Sequence, residues 1–346
     1  DTSPAVTFDP TYLTRTLREI TLDTGVYYLQ GPWVSITNMA SELPATAVST
    51  TADGNWTLKR GNNAFNDVMC YFHIDQNQRY LQSLGYSNAA GIQAVSIPVD
   101  SDGLDGDDNS HYVPAQNSLA FGHGGVDDNE DADVILHEYG HAITHDATPG
   151  WGGGDSGAIG EGFGDYWGAS YSWTCTNGST HHPAWAFSWD GHGADTWTGR
   201  FLDMTNLTYD HSHLYVAHET IASIPNYSDQ LWGTPIYQAF RDLISLGRPR
   251  TEMDTIIIES FFGVGNGVKM RDNPHQHLQL CLDVAGNRGH ELWRASETHR
   301  EQLYGLLMGD QCSLRPGQHA WHCGDSGRTR EYFAVRDRIC GARRDD

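Results

Sequence analysis

Residues 134–146 read VILHEYGHAITHD, and no other stretch restricts the fold as much, because so apolar a run must be buried while carrying two imidazoles and a carboxylate. With no proline, and glycine only at Gly140, it predicts a helix whose Val134, Ile135, Leu136, Ala142 and Ile143 are mostly buried. His137 and His141 are one helical turn apart, which sets both rings on one face with converging nitrogens. That spacing suits a tetrahedral Zn²⁺. Glu138 lies about 100° round the helix, poorly placed to share the ion but able to reach a water bound to it. The motif HExxH also arises by chance, so it needs support from elsewhere in the chain.

Support comes in SGAIGEGFGDYWGAS, residues 156–170, where a Gly-rich entry leads to Glu161, and Asp165 follows four residues later on the same face of a second helix. Glu161 can complete a His₂Glu set with one coordination position left open, as a catalytic zinc needs. Asp165 can orient a ligand imidazole from behind.

Together HEYGHAITHD and SGAIGEGFGD resemble the thermolysin-like and fungalysin-like zinc endopeptidases, the gluzincins, in order and in spacing. The resemblance implies an α+β, two-lobed fold: a β-rich N-terminal lobe, a mainly helical C-terminal lobe and an active-site cleft between them. On this chain that means residues 1–146, ending in the HExxH helix, and residues 147–313, with a Cys-containing tail at 314–346. It implies a secreted, zinc-dependent endopeptidase that acts on internal bonds of proteins or peptides, with Glu138 as general base. It also nominates Asn109 and the Ser110 carbonyl for holding substrate backbone, Arg200 in RFLDMTN for a substrate carbonyl, and Val134 for an apolar pocket wall.

The resemblance departs at the oxyanion. Family members place a His six residues ahead of an anchor matched here by Trp232 of QLWGTPIYQAF, and that count falls on Asn226. Asn226 can donate a neutral hydrogen bond; His211, His213 or His218 of YDHSHLYVAHE, or Tyr227, can serve instead. A histidine is preferred, and His218 and Asn226 are the two nominees carried forward. Gly160 stands where an Asn usually supports the second ligand His, so His141 needs another partner. The usual oxyanion Tyr position falls near Trp151 and Gly152, which offer no such hydroxyl.

Two other readings compete. A binding module that keeps its zinc for stability has no need of Glu138, and an aminopeptidase of the same ligand pattern carries a Gly-x-Met-Glu-Asn-like element that is absent here. No GxSxG elbow supports serine hydrolysis either.

The remaining composition narrows partners. A net charge of −23, with only Lys59 and Lys269 as lysines among 21 basic residues, repels nucleic acid. No apolar run is long enough to span a bilayer, so no membrane partner is expected, and the chain reads as a monomer. The acidity fits bound Ca²⁺ as well as a solvated surface, and DSDGLDGDDNS at 100–110 has calcium-loop carboxylates without the EF-hand order. Cysteines at 70, 175, 281, 312, 323 and 340, none in a CxxC pair, favour an oxidising compartment and a bridge among the last three. Sequons at Asn55, Asn177, Asn206 and Asn226 take glycans only along a eukaryotic secretory route. Locally, Tyr27–Ile36 reads as strand and Ala64–Leu84 as a long helix stopped by Gly85.

Overall fold

The computed structural model describes residues 5–39, 47–87, 91–191, 198–204, 207–221, 226–262 and 264–270, together with the backbone of 312–314 and 321–323. By contact these fall into two compact units, Asp1–Asn206 with Leu214–Val284, and Leu207–His213 with Ala285–Asp346. The boundary expected at 146/147 falls inside the first unit.

In chain order the first unit has strands β1 (Thr21–Asp23), β2 (Val26–Tyr28), β3 (Val34–Ile36) and β4 (Thr50–Thr51), and helix α1 (Asn63–Ser83). Then come β5 (Ile97–Asp100), β6 (Ser110–Val113) and β7 (Ser118–Phe121), and the helices α2 (Ala132–Ala147) and α3 (Ser156–Ser172). The short strands β8 (Trp185–Ala186) and β9 (Arg200–Phe201) precede α4 (Asp229–Ser245) and α5 (Arg250–Phe261). The fold is mixed α+β. The second unit contributes β10 (Cys312–Leu314) and β11 (Trp321–Cys323), an antiparallel pair in which Cys312 lies opposite Cys323.

Two separate sheets carry the N-terminal strands. β1, β2 and β4 form one antiparallel sheet; β3, β5, β7 and β6 form the other in that order, parallel from β3 to β7 and antiparallel at β6. The single strand expected over Tyr27–Ile36 is thus two, assigned to different sheets. Pro32 has no N–H for a ladder, and Gly31 and Val34 close a turn there with a 2.8 Å bond.

The long helix lies one residue from expectation. Asn62 caps α1 by accepting from Ala64 N at 3.0 Å, and Gly85 follows the helix with φ +109°. Its buried face mixes Cys70, Tyr71, Ile74 and Leu81 with polar side chains, of which Asn77 accepts from Trp167 Nε1 at 2.9 Å and Gln78 accepts from the Tyr139 hydroxyl at 2.5 Å. α1 is thereby tied to both α2 and α3. Across the other side of α3 runs an aromatic core, where Phe163 stacks on Trp167 at 5.5 Å and meets Phe261 of α5 edge-on at 4.9 Å.

Among the described residues Cys70 is a buried free thiol, Cys175 an exposed one, and no helix is long and apolar enough to cross a membrane. The remaining cysteine side chains lie outside the described residues.

Candidate metal centre

α2 begins where Asp131 caps it, its side chain accepting from Asp133 N at 2.8 Å, and the two motif histidines follow on the face turned to α3. Their seating depends on glycine. A Cβ on Gly164 would stand 2.6 Å from His137 Nδ1, and one on Gly140 would stand 3.1 Å from Gly164 Cα. Glycine at both positions lets the helices approach closely enough for side chains of one to reach those of the other. On the opposite side of α3 a Cβ on Gly162 would stand 2.6 Å from the Asp229 carbonyl, so α4 is seated by the same means.

The three expected ligands converge. His137 Nε2 lies 3.1 Å from His141 Nε2 and 3.1 Å from Glu161 Oε2, and His141 Nε2 lies 3.6 Å from Glu161 Oε1. Ligand bonds of about 2.0–2.2 Å in a tetrahedron demand edges of roughly 3.3–3.5 Å, so the donor set fits a zinc ion with little adjustment. Three protein donors leave the fourth corner open.

Charge around the donors is heavily shared. Burial alone would lower His137, but Asp165 and Glu161 outweigh it and raise it to about 10. Asp165 Oδ1 is 3.1 Å from His137 Nδ1, within ion-pair distance though out of line for a well-directed hydrogen bond. Burial lowers His141 to about 4, leaving its lone pair free at neutral pH. No hydrogen-bond partner for its Nδ1 is found among the described residues. Glu161 sits well below the carboxylate range despite burial, held there by His141, His137 and His218. A metal ion taking this site would displace the proton that His137 carries in its absence.

Glu138 is 6% exposed, and its Oε2 accepts from Tyr112 N at 2.8 Å. Burial pushes it up to about 7, against the pull of His137. Tyr112 belongs to β6, the edge strand, and strand alternation sets the Ser110 amide and carbonyl on the same side as the Tyr112 amide. Asn109, just ahead of β6, is exposed; its side-chain oxygen accepts from Ser110 N at 3.0 Å. Val134 is buried in the first turn of α2.

His218 also reaches the cluster. Its Nε2 is 3.2 Å from Glu161 Oε2 and its Nδ1 is 2.8 Å from Asp229 Oδ2, while its own amide donates to Asp229 Oδ1 at 3.0 Å. Burial opposes protonation of His218, yet Asp229 and Glu161 raise it. The structure brings His218, and not Asn226, to Glu161: Asn226 is half-buried ahead of α4, and its carbonyl accepts from Ile221 N at 3.1 Å. Tyr227 spends its amide on Gln230 Oε1, whereas His211 and His213 belong to the second unit.

Arg200 is not a free cation. Its Nη1 donates to Asp165 Oδ1 at 2.8 Å and lies 3.5 Å from Asp229 Oδ2, while its buried Nε has no hydrogen-bond partner. Asp229 and Tyr112 carry no nomination from the sequence. Asp229 opens α4 after Ser228 and reads there as an ordinary acidic first turn, and Tyr112 acts through its backbone, which no side-chain pattern reveals.

No family model matches this chain, and no curated protein matches it by sequence. Fold comparison does find likeness, to solved structures. One is the precursor of protealysin, a metalloproteinase from Serratia proteamaculans, similar with a TM-score of 0.52 and 13% identity, covering 87% of this chain and 92% of that one. At that identity the likeness speaks for the fold.

Proposed function

We propose that this chain is a zinc-dependent endopeptidase, with His137, His141 and Glu161 as the ligands and Glu138 as the general base. The observation that carries the reading is the convergence of three donor atoms from α2 and α3 at tetrahedral spacing, with a buried carboxylate beside them and one corner open. A zinc ion there supplies Lewis acidity, polarising a scissile carbonyl and acidifying a water.

The chain's own groups do the rest. Glu138, held by Tyr112 N and poised near neutrality, takes the proton of the attacking water and hands it to the departing amine nitrogen. His218, aimed by Asp229 and with its protonated form favoured by Asp229 and Glu161 against burial, donates to the oxygen that becomes negative. Asp165 holds the His137 ring, and Arg200 both neutralises Asp165 and keeps Nε for a substrate carbonyl. The unpaired side of β6, with Asn109 and Ser110, receives an extended peptide as an added strand, and Val134 lies along the pocket wall. On this reading the peptide lies between β6 and the ligands of α2 and α3. A secreted monomer acting on protein or peptide substrates fits the acidic, lysine-poor surface.

Glu138→Gln is expected to keep zinc at one equivalent by metal analysis and to lose casein hydrolysis, and a chelator is expected to abolish hydrolysis by the native chain until zinc is returned. Near-normal turnover by Glu138→Gln removes the proposal.

A further inference from the structure

At the edge of its sheet β6 is laddered to β7 along one side. A strand bonded on one side only opens more readily than an inner one unless side chains hold it. Here they do. The Tyr112 hydroxyl donates to Asn117 Oδ1 at 3.0 Å, Asn117 Nδ2 donates to Gln93 Oε1 at 3.2 Å, and Gln93 Nε2 donates to the Ala142 carbonyl at 3.0 Å. Ala142 follows the ligand His141 in α2, so three hydrogen bonds in series run from the edge strand to the helix of the HExxH motif. The Tyr112 ring also lies against His145 of α2, with centroids 5.3 Å apart. Because the Tyr112 amide donates to Glu138, one turn ahead of Ala142, the path leaves α2 through β6 and returns to α2.

Both amide side chains stand on backbone that costs free energy to hold. Gln93 has φ +48° and Asn117 φ +47°, left-handed values that a residue with a side chain seldom adopts. Gln93 is 4% exposed in the turn ahead of β5, and its own amide donates to Asp146 in the last turn of α2. Asn117 ends the turn between β6 and β7, where its amide donates to the Pro114 carbonyl at 3.4 Å. A carboxamide bonded through both its oxygen and its nitrogen fixes distance and direction between two elements, which apolar packing does not.

We infer that Gln93 and Asn117 are positioning residues for peptide binding, tying the β6 edge strand to the helix that carries His137, Glu138 and His141. The inference rests on the peptidase reading, since it takes β6 as the strand on which substrate lies. A strand already held in place need not be ordered when the peptide arrives, so the brace acts on binding and leaves the bond-breaking step alone.

The test uses the full chain loaded with zinc and two variants that open the series at opposite ends. Gln93→Met keeps the side-chain length and removes both of its bonds; Tyr112→Phe removes one hydroxyl and leaves the amide. Kinetics compare an octapeptide, long enough to lie along β6, with a blocked dipeptide that spans only the scissile bond. Each variant is expected to raise KM for the octapeptide about tenfold, with kcat and the dipeptide's KM changed less than about twofold. The double variant should be no worse than either single one, because one break opens a series as fully as two. Amides of β6 and β7 should exchange hydrogen faster in both variants, with exchange in α1 unchanged. A purely structural loss would lower Tm without that dependence on peptide length.

The inference is overturned if β6 exchange and KM stay as in the native chain, if long and short substrates suffer alike, or if the two substitutions add. A native chain that cleaves neither substrate overturns the peptidase reading instead, and hydrogen exchange in the hairpin then decides the brace by itself. If Gln93→Met fails to fold, Tyr112→Phe decides together with Asn117→Asp, at a half-buried position, which keeps the acceptor for Tyr112 and loses the donor to Gln93.

Discussion

Around the candidate zinc position, His137, Asp165, Arg200, Asp229, His218 and Glu161 form a closed ring of alternating charge, each within 3.5 Å of the next. Each member has an oppositely charged neighbour on both sides, which is how so many ionisable groups tolerate burial together. Within the ring, His218 is the most exposed, at 51%, and makes its contacts from the rim. His218→Asn is therefore expected to fold, to keep its zinc, and to lose about 10²–10³ in kcat, whereas Asn226→Ala leaves kcat unchanged. Steady-state kinetics alongside metal analysis checks both. Only part of this ring was legible in the sequence. Glu161 and Asp165, and His137 with His141 beside the ring, announce themselves because a helical turn fixes the spacing within each pair. The choice among His211, His213, His218, Asn226 and Tyr227 was open because it turns on where a loop folds back, and His218 sits there with φ +55°, a conformation no spacing rule anticipates.

Among the elements, α3 does the positioning, and its glycines divide into those that cannot change and those that can. Gly164→Ala places a methyl 2.6 Å from His137 Nδ1, so the ring or the helix must move. The expected result is a loss of about 10–100-fold in zinc affinity, measured by competition with a chromophoric chelator, with a fall in Tm. Gly160→Ala is the contrast. Its nearest neighbours, Trp151 Nε1 and His141 Nδ1, would stand at 3.5 and 3.7 Å, ordinary contact distances, so the better helix former should add about 0.5–1 kcal/mol by chemical denaturation. The helices α1 and α2 follow from apolar spacing, and α1 from its stop signal at Gly85, close to where they stand. The strands do so less well: Tyr27–Ile36 has the composition of one strand, but Gly31 and Pro32 divide it between two sheets, and β8 and β9, of two residues each, leave no periodicity to read.

For the whole molecule, the balance of 44 acidic against 21 basic residues sets the response to solution conditions. Self-repulsion at a net charge of −23 works against the compact state, and salt screens it over about 10 Å at 0.1 M. Raising NaCl from about 10 mM to 0.2 M, well past the onset of that screening, is expected to raise Tm with zinc and calcium held constant, and a calorimetric scan that shows a flat or falling Tm contradicts this. Order of assembly is a separate matter, and α3 decides it. A segment with glycines at 157, 160, 162, 164 and 168 has scarcely any tendency to coil into a helix by itself. It acquires that shape on contact with α2 and α4, so Glu161 is delivered to the two imidazoles late in folding, and a nascent chain exposes its histidines before it can hold an ion between them.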